Sequence, residues 1–546
     1  MKNMKSLLVA LLAALALLCV GCSAPDSMTD TELDTPTSTE TIPEQETPVF
    51  GLEVLSYAEL EEIKSSRTRL QSGDEHARLY FNGTELACLS NRRVFYMTVP
   101  QTNDGWADGE LTAPEGYRVV RDEVKLPDDP SVMIERGNSL MVYLVGETDY
   151  AVIDIIMTYL PVISIDIDGG AELGGTLQGA DFSLHDSAAS NKNLRYSSSR
   201  AEVKLRGGSS SGLPKKSIRL DLKTEDGENR KLPLFGMRSD DDWILTAMFL
   251  DESKVRDMTA WQLWREMNSR YPGVKGSCAP ETRYVEVLLN GRYQGLYMFM
   301  EKFDAKTMKL EDGDSLFKAT SWEVPDSAGL RSQHVRSLSY YAMEKKWPDV
   351  STKIKGTWDC IAEYIRVAYE TDGDGFVREI EDVTSVENQL DYWIYNNVTM
   401  AADNTFKNAY YACKDGLVYT LPWDLDISFG LGWNGDPATN YLYRNADSTT
   451  RTYDFQVGRR LIKYSDSAVE YLKERWEALM SADIVSADGL IENAMVHYDL
   501  IRSSGALTRE CERWDTVSYA EDAMEYLEDS VRARIAWLDH YISSLK

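Results

Sequence analysis

The sequence predicts an α+β protein: a small all-β, sandwich-like domain followed by a two-lobe unit, one lobe β-rich and the other α-rich. Three observations predict it. Short alternating apolar runs broken by turn residues fill the chain from residue 50 to about 320. Helical periodicity fills most of the remainder, and there is no internal repeat. At 546 residues, 43% hydrophobic and 27% charged, the chain is long enough for two to four domains and a large core.

The first residues read as a targeting segment. "MKNMK" is a basic start, "SLLVALLAALALLCV" an apolar run, and Gly21-Cys22 a small-residue junction of the kind that precedes a lipid-bearing cysteine. Cleavage there makes Cys22 the lipidated first residue. The expectation is an extracytoplasmic lipoprotein held to the cell membrane through its lipid anchor only. Residues 23–49, rich in Thr, Pro, Glu, Asp and Ser, cannot bury enough apolar surface to fold and read as a disordered tether.

Residues 50–160 hold short strand-like runs such as "RRVFYMTVP" and "YAVIDIIMTYL", with turn signals such as Asn82-Gly83, and no evident chemistry. The β-rich lobe, about 161–320, contains a strand–turn–strand in "AEVKLRGGSSSGLPKKSIRLDL" and a helix in "DESKVRDMTAWQLWREMN". It also has a hairpin in "RYVEVLLNGRYQGLYMFMEKF", turned at Asn290-Gly291. The α-rich lobe, about 321–546, has helical segments in "TWDCIAEYIRVAYE", "SVENQLDYWIYNNVTMAA", "AVEYLKERWEALM" and the tail from Ala520. A cleft between two such lobes is a natural ligand site.

Charge narrows the partners. Against 58 basic residues stand 88 acidic ones, a net charge of −30, so the chain lacks the basic footprint that nucleic acid requires. A basic protein substrate, or simple solubility, suits it better. Outside the leader, Cys88, Cys278, Cys360, Cys413 and Cys511 are scattered and odd in number, with no disulfide framework or zinc spacing. The five histidines are dispersed, which argues against a zinc hydrolase.

The densest chemistry lies in "DNTFKNAYYACKDGLVYTLPWDLDISFG", residues 403–430. Asp403 precedes Asn408 by five positions, a spacing that protein-kinase catalytic loops also use for a base and a metal-binding carboxamide. The run from there to Asp424 reads as a hairpin turned at Lys414-Asp415-Gly416, which returns Asp424 and Asp426 to where it began. Such hard oxygen donors suit magnesium. Turn and cap chemistry is the other reading, since Asp and Asn favour both.

Three weaker signals accompany it. In Arg206–Leu222, Gly207, Gly208 and Gly212 make a small-residue turn whose N–H groups could approach phosphate, with Lys215 and Lys216 on the next strand; an ordinary glycine–serine hairpin is the other reading. The same turn spells G-x-S-x-G, but a strand follows instead of the helix that a nucleophile elbow needs. Residues 370–381, "ETDGDGFVREIE", superficially resemble a calcium loop with Glu370 in the first position, against an ordinary surface loop.

Taken together, "RGGSSSGLPKKSIRLDL", "DDWILTAMFLDESKVRDMTAWQL", "YVEVLLNGRYQGLYMFMEK" and the 403–430 stretch, in that order, resemble the spore coat protein H (CotH) kinase family over roughly residues 160–546. The resemblance implies an atypical protein-kinase-like fold and transfer of phosphate from ATP to Ser or Thr of a protein substrate, with ATP and Mg2+ as cofactors. It implies Asp403 as catalytic base, Asn408 as a metal ligand, and Asp424, or alternatively Asp426, as a further magnesium ligand. Arg206, Gly207, Gly208 and Lys216 or Lys215 would contact ATP phosphates, and Glu301 in "YMFMEK" would border the adenine. The charge suggests a basic, Ser-rich acceptor. The alternative expectation is a catalytically weak kinase-like module that binds or scaffolds at the cell surface.

Overall fold

A computed structural model describes residues 49–101, 105–106, 108–269, 278–349, 355–432, 455–515 and 520–546. The leader, Cys22 and nearly all of the tether lie outside the described residues. Among the described residues no helix is long and apolar enough to cross a membrane.

Residues 53–158 contribute a seven-stranded mixed sheet and a three-stranded sheet made of Tyr80–Phe81, Thr84–Glu85 and Leu111–Thr112. Phe81 and Leu111 from the small sheet share a core with Phe95, Met97, Val142 and Ile153 from the large one. Val120, Tyr143 and Val145 face the other way and bury Leu60 and Ile63 of the helix Tyr57–Ser66, as period-two strands require. That helix starts on a capping box of Ser56 and Glu59. Hairpins alone do not build the large sheet, because Val94–Thr98 runs parallel to residues 154–158.

The next block closes on itself. Strands β1 (Val162–Ile167), β2 (Gln178–His185), β3 (Tyr196–Arg206), β4 (Ser217–Lys223), β5 (Asp242–Thr246), β6 (Thr282–Leu289) and β7 (Arg292–Glu301) form a closed barrel in the order β1-β2-β3-β4-β5-β7-β6. Neighbours are antiparallel except for the closing pair, β1 with β6, where Val162 lies opposite Glu286. Strand alternation sorts β7: Tyr297 and Phe299 fill the barrel, while Leu296, Met298 and Met300 face outward.

The outward face belongs to the largest core, shared with helix α1 (Arg256–Ser269), which is inserted between β5 and β6, and with the C-terminal helices. The same core holds a second sheet in the order β9-β10-β8-β11-β12, made of β8 (Ser315–Ala319), β9 (Ser339–Tyr340), β10 (Met343–Trp347), β11 (Ala409–Lys414) and β12 (Leu417–Pro422). Helix α2 (Val386–Thr399) is buried almost throughout. Its polar side chains are paired accordingly: Asn388 bonds both the N–H and the C=O of Thr420 on β12, and Asp391 takes two bonds from Arg475. This fixed strut ends just before Asp403.

The calcium-loop reading of residues 370–381 fails. Asp372 caps a helix over Gly373–Glu379 by accepting from the Gly375 N–H, and Glu370 accepts from the N–H and hydroxyl of Ser327. A segment that is mostly helix cannot wrap an ion with its own loop.

Candidate active site

The hairpin predicted within 403–430 forms. Strands β11 and β12 turn at Asp415 (φ +52°) and Gly416 (φ +80°), the two left-handed positions of a type I′ turn. Ala409 pairs with Pro422, so Asn408 and Asp424 leave the open end together. Both are themselves left-handed, at φ +56° and +61°, a conformation that Asn and Asp tolerate better than other side chains. Asn404, which no sequence pattern singles out, secures this geometry. Its buried amide donates to the carbonyls of Asn408 (2.9 Å) and Trp423 (2.8 Å), and the Tyr392 hydroxyl donates to the Asn404 carbonyl at 2.8 Å.

Carboxylates collect around this open end. Asp403 lies 3.4 Å from the Lys407 ammonium, which rests 4.0 Å over the Trp322 ring. Burial pushes Asp426 up to about 7, and the charges of Asp424, Asp251 and Asp403 add to the shift. Asp257, in the first turn of α1, is buried and raised well above the usual carboxylate range, by burial first and then by Asp426, Asp424 and Asp251. Nothing local in the sequence marks Asp257; helix packing carries it to the hairpin.

Two cations face the acids. Arg206, at the end of β3, sits over the Trp423 ring at 5.1 Å, and Lys318 on β8 lies 5.5 Å from the same ring. Strand pairing delivers Lys318, because it stands opposite Tyr410, whose ring packs on Trp423 at 5.3 Å. Neither Arg206 nor Lys318 has an ion-pair partner among the described residues. Burial lowers the Lys318 ammonium from its usual range, and nearby Asp424 opposes that. The turn of Gly207, Gly208 and Ser209–Gly212 starts from Arg206 and so borders the same place, with Gly207 at φ +115°. Lys216 staples that turn by donating to the Ser211 carbonyl at 2.6 Å.

Lys215 and Glu301 both have partners within the protein. Lys215 lies just ahead of β4 and turns inward onto helix α3 (Ala506–Trp514). It is fully buried, 2.7 Å from Glu510 and bonded to the Leu296 carbonyl. It joins the barrel to the helix through this buried ion pair. Glu301 at the end of β7 accepts from the N–H groups of Arg238 and Glu281, so its carboxylate is occupied with holding backbone.

The donor set fits a hard divalent ion. Asp424, Asp426 and Asn408 offer oxygens, and Asp257 Oδ1 is buried with no hydrogen-bond partner among the described residues. Among the described residues no three His, Cys, Asp or Glu side chains suffice to hold an ion by themselves. Magnesium, which retains waters and binds phosphate oxygens, suits such a partial set. The arrangement therefore defines a class: an acidic, metal-type centre facing two cations that have no ion pair among the described residues, as phosphate-handling sites have. A comparison with protein families matches residues 203–538 to the family described as CotH kinase protein. The chain belongs to the CotH kinase family, which implies kinase-like function, a protein substrate, and use of ATP with Mg2+. A search of curated proteins finds no match.

Proposed function

We propose that this protein transfers the γ-phosphoryl group of Mg-ATP to Ser or Thr hydroxyls of a protein at the cell surface, where Cys22 carries its lipid anchor. The observation that supports it best is the pairing of opposites at Trp423: Arg206 and Lys318, without counter-ions among the described residues, beside Asp424 and the other acids. Cations of this kind hold phosphate oxygens and offset charge that spreads over them during transfer. Asp424, Asp426 and Asn408 would hold magnesium, which when bound neutralises phosphate charge.

The chain's own residues supply the rest. Asp403 accepts the proton of the acceptor hydroxyl as its oxygen bonds to phosphorus and the bond from phosphorus to ADP breaks. Lys407, 3.4 Å away, keeps that carboxylate oriented. A charge of −30 favours an acceptor that is basic around its hydroxyls.

The test is label transfer from γ-labelled ATP to a basic, Ser-rich protein by the full chain with magnesium. Wild type should transfer label, and Asp403→Ala and Asp424→Ala should each lose at least about a hundredfold, the scale of one positioned proton acceptor. Equal transfer by either variant would remove that residue from the mechanism. In cells expressing the full chain, Cys22→Ala should shift the protein from the membrane fraction to the soluble one.

A further inference from the structure

Two buried aspartates near the start of α1 differ in one respect. Asp251 is saturated: Oδ1 accepts from Ser253 Oγ (2.6 Å), the Ser253 N–H (3.1 Å) and the Arg256 guanidinium (2.6 Å), and Oδ2 accepts from the Arg256 N–H (2.9 Å). It holds the first N–H of the helix and neutralises Arg256. Asp257 is only 4% exposed, and no described residue donates to its carboxylate; Oδ1 is sealed away from solvent. Trp261, one turn further along the same face of α1, packs edge-on at 6.1 Å against Trp423, the residue just before Asp424. This end of the helix therefore lies at the open end of the hairpin, and the charges acting on Asp257 are accordingly Asp426, Asp424, Asp251 and Arg206.

Such a carboxylate is costly. A buried polar oxygen without a donor loses its hydration and gains nothing in return, and like charges nearby add to the cost. The helix N-terminus favours an anion but does not supply a bond to Oδ1. Asp251 and Asp391, the structural acids of this core, are instead paired with arginines. A donor that arrives with a ligand would supply the missing bond. Waters retained by a magnesium ion are such donors, because they bond strongly to carboxylates outside the first ligand layer.

We propose that Asp257 belongs to the cation site, accepting a hydrogen bond from water in the shell of the ion that Asp424, Asp426 and Asn408 hold. This rests on the reading of the site as magnesium-binding. It makes α1 a third wall of the centre, contributed by the segment between β5 and β6. Asp257 is then a positioning residue, acting on the ion through water.

The test is Mn2+ titration of the full-length protein, with the free ion followed by its electron paramagnetic resonance signal, first without nucleotide and then with a non-hydrolysable ATP analogue. Asp257→Asn should weaken Mn2+ binding about ten- to a hundredfold, the usual effect of losing an outer-layer partner. It should also shrink the rise in melting temperature that Mg2+ causes, with circular dichroism unchanged. Asp251→Asn, the structural comparison, should lower the melting temperature without metal. Equal Mn2+ affinity in wild type and Asp257→Asn would overturn this inference and leave the magnesium reading intact. Absence of Mn2+ binding by wild type, with and without nucleotide, would overturn both.

Discussion

Arg206 and Lys318 reach Trp423 with charge to offer and no ion-pair partner among the described residues, so removing either costs the fold little. Arg206→Ala and Lys318→Met should each weaken nucleotide binding about ten- to a hundredfold, the scale of a hydrogen bond to a charged group. Melting temperature should stay level or rise. Calorimetric titration beside thermal unfolding checks both, and unchanged affinity in Lys318→Met would remove it from the site. Asp403, Asn408, Asp424 and Asp426 are legible in the sequence because hairpin pairing is local: a type I′ turn at Asp415-Gly416 fixes which residues meet. Lys318 and Asp257 are not, because neither has a partner close in sequence to betray it.

At the scale of elements, Lys215 and Lys216 show how two neighbours just ahead of a strand take different partners. The segment after the glycine turn is a strand as expected, but it begins at Ser217, just past the two lysines. The neighbours part company there, Lys216 reaching the Ser211 carbonyl and Lys215 turning inward to Glu510. That divergence is not readable from the segment alone, since Glu510 lies 295 residues away. Burial lowers the Lys215 ammonium to about 8 despite that partner. Lys215→Ala leaves Glu510 buried opposite a cavity and should destabilise the protein by about 3–5 kcal/mol. Replacing both, as Lys215→Met with Glu510→Leu, should restore much of that. Denaturant midpoints for the two variants decide it, and a lone Lys215→Ala at wild-type stability would contradict this role of the ion pair.

For the whole molecule, the contact between the N-terminal sheets and the barrel makes a prediction about pH. His185 on β2 is buried and bonds the Glu85 carbonyl through Nδ1 at 2.8 Å. Burial lowers it from 6.5 to about 4. The unfolded chain therefore takes up a proton near 6.5 that the folded protein refuses until about 4, so stability falls as pH falls through that window. From pH 7 to pH 5 the loss from this group is about 2 kcal/mol. Urea unfolding of wild type and His185→Gln at both pH values should show a shallower decline in the variant. Parallel declines would mean that His185 is not the group responsible.

Local pattern determined a good part of this protein: the strand-rich and helix-rich regions, the helix that follows Ser385, the hairpin of β11 and β12, and through it the shared end from which Asn408 and Asp424 emerge. It did not determine the helix Tyr57–Ser66 within the domain expected to be all β. The features it determined follow from forces that act over a turn or a strand pair, which periodicity and turn residues encode. Tertiary structure alone decided three other things. It closed the barrel by pairing β1 with β6, which lie far apart in the chain. It turned Lys215 inward, and it brought Arg206, Lys318 and Asp257 to one hairpin end. The physical reason is that burial and charge pairing are properties of packed neighbours, and a neighbour distant in the chain leaves no periodic trace in the segment it will meet.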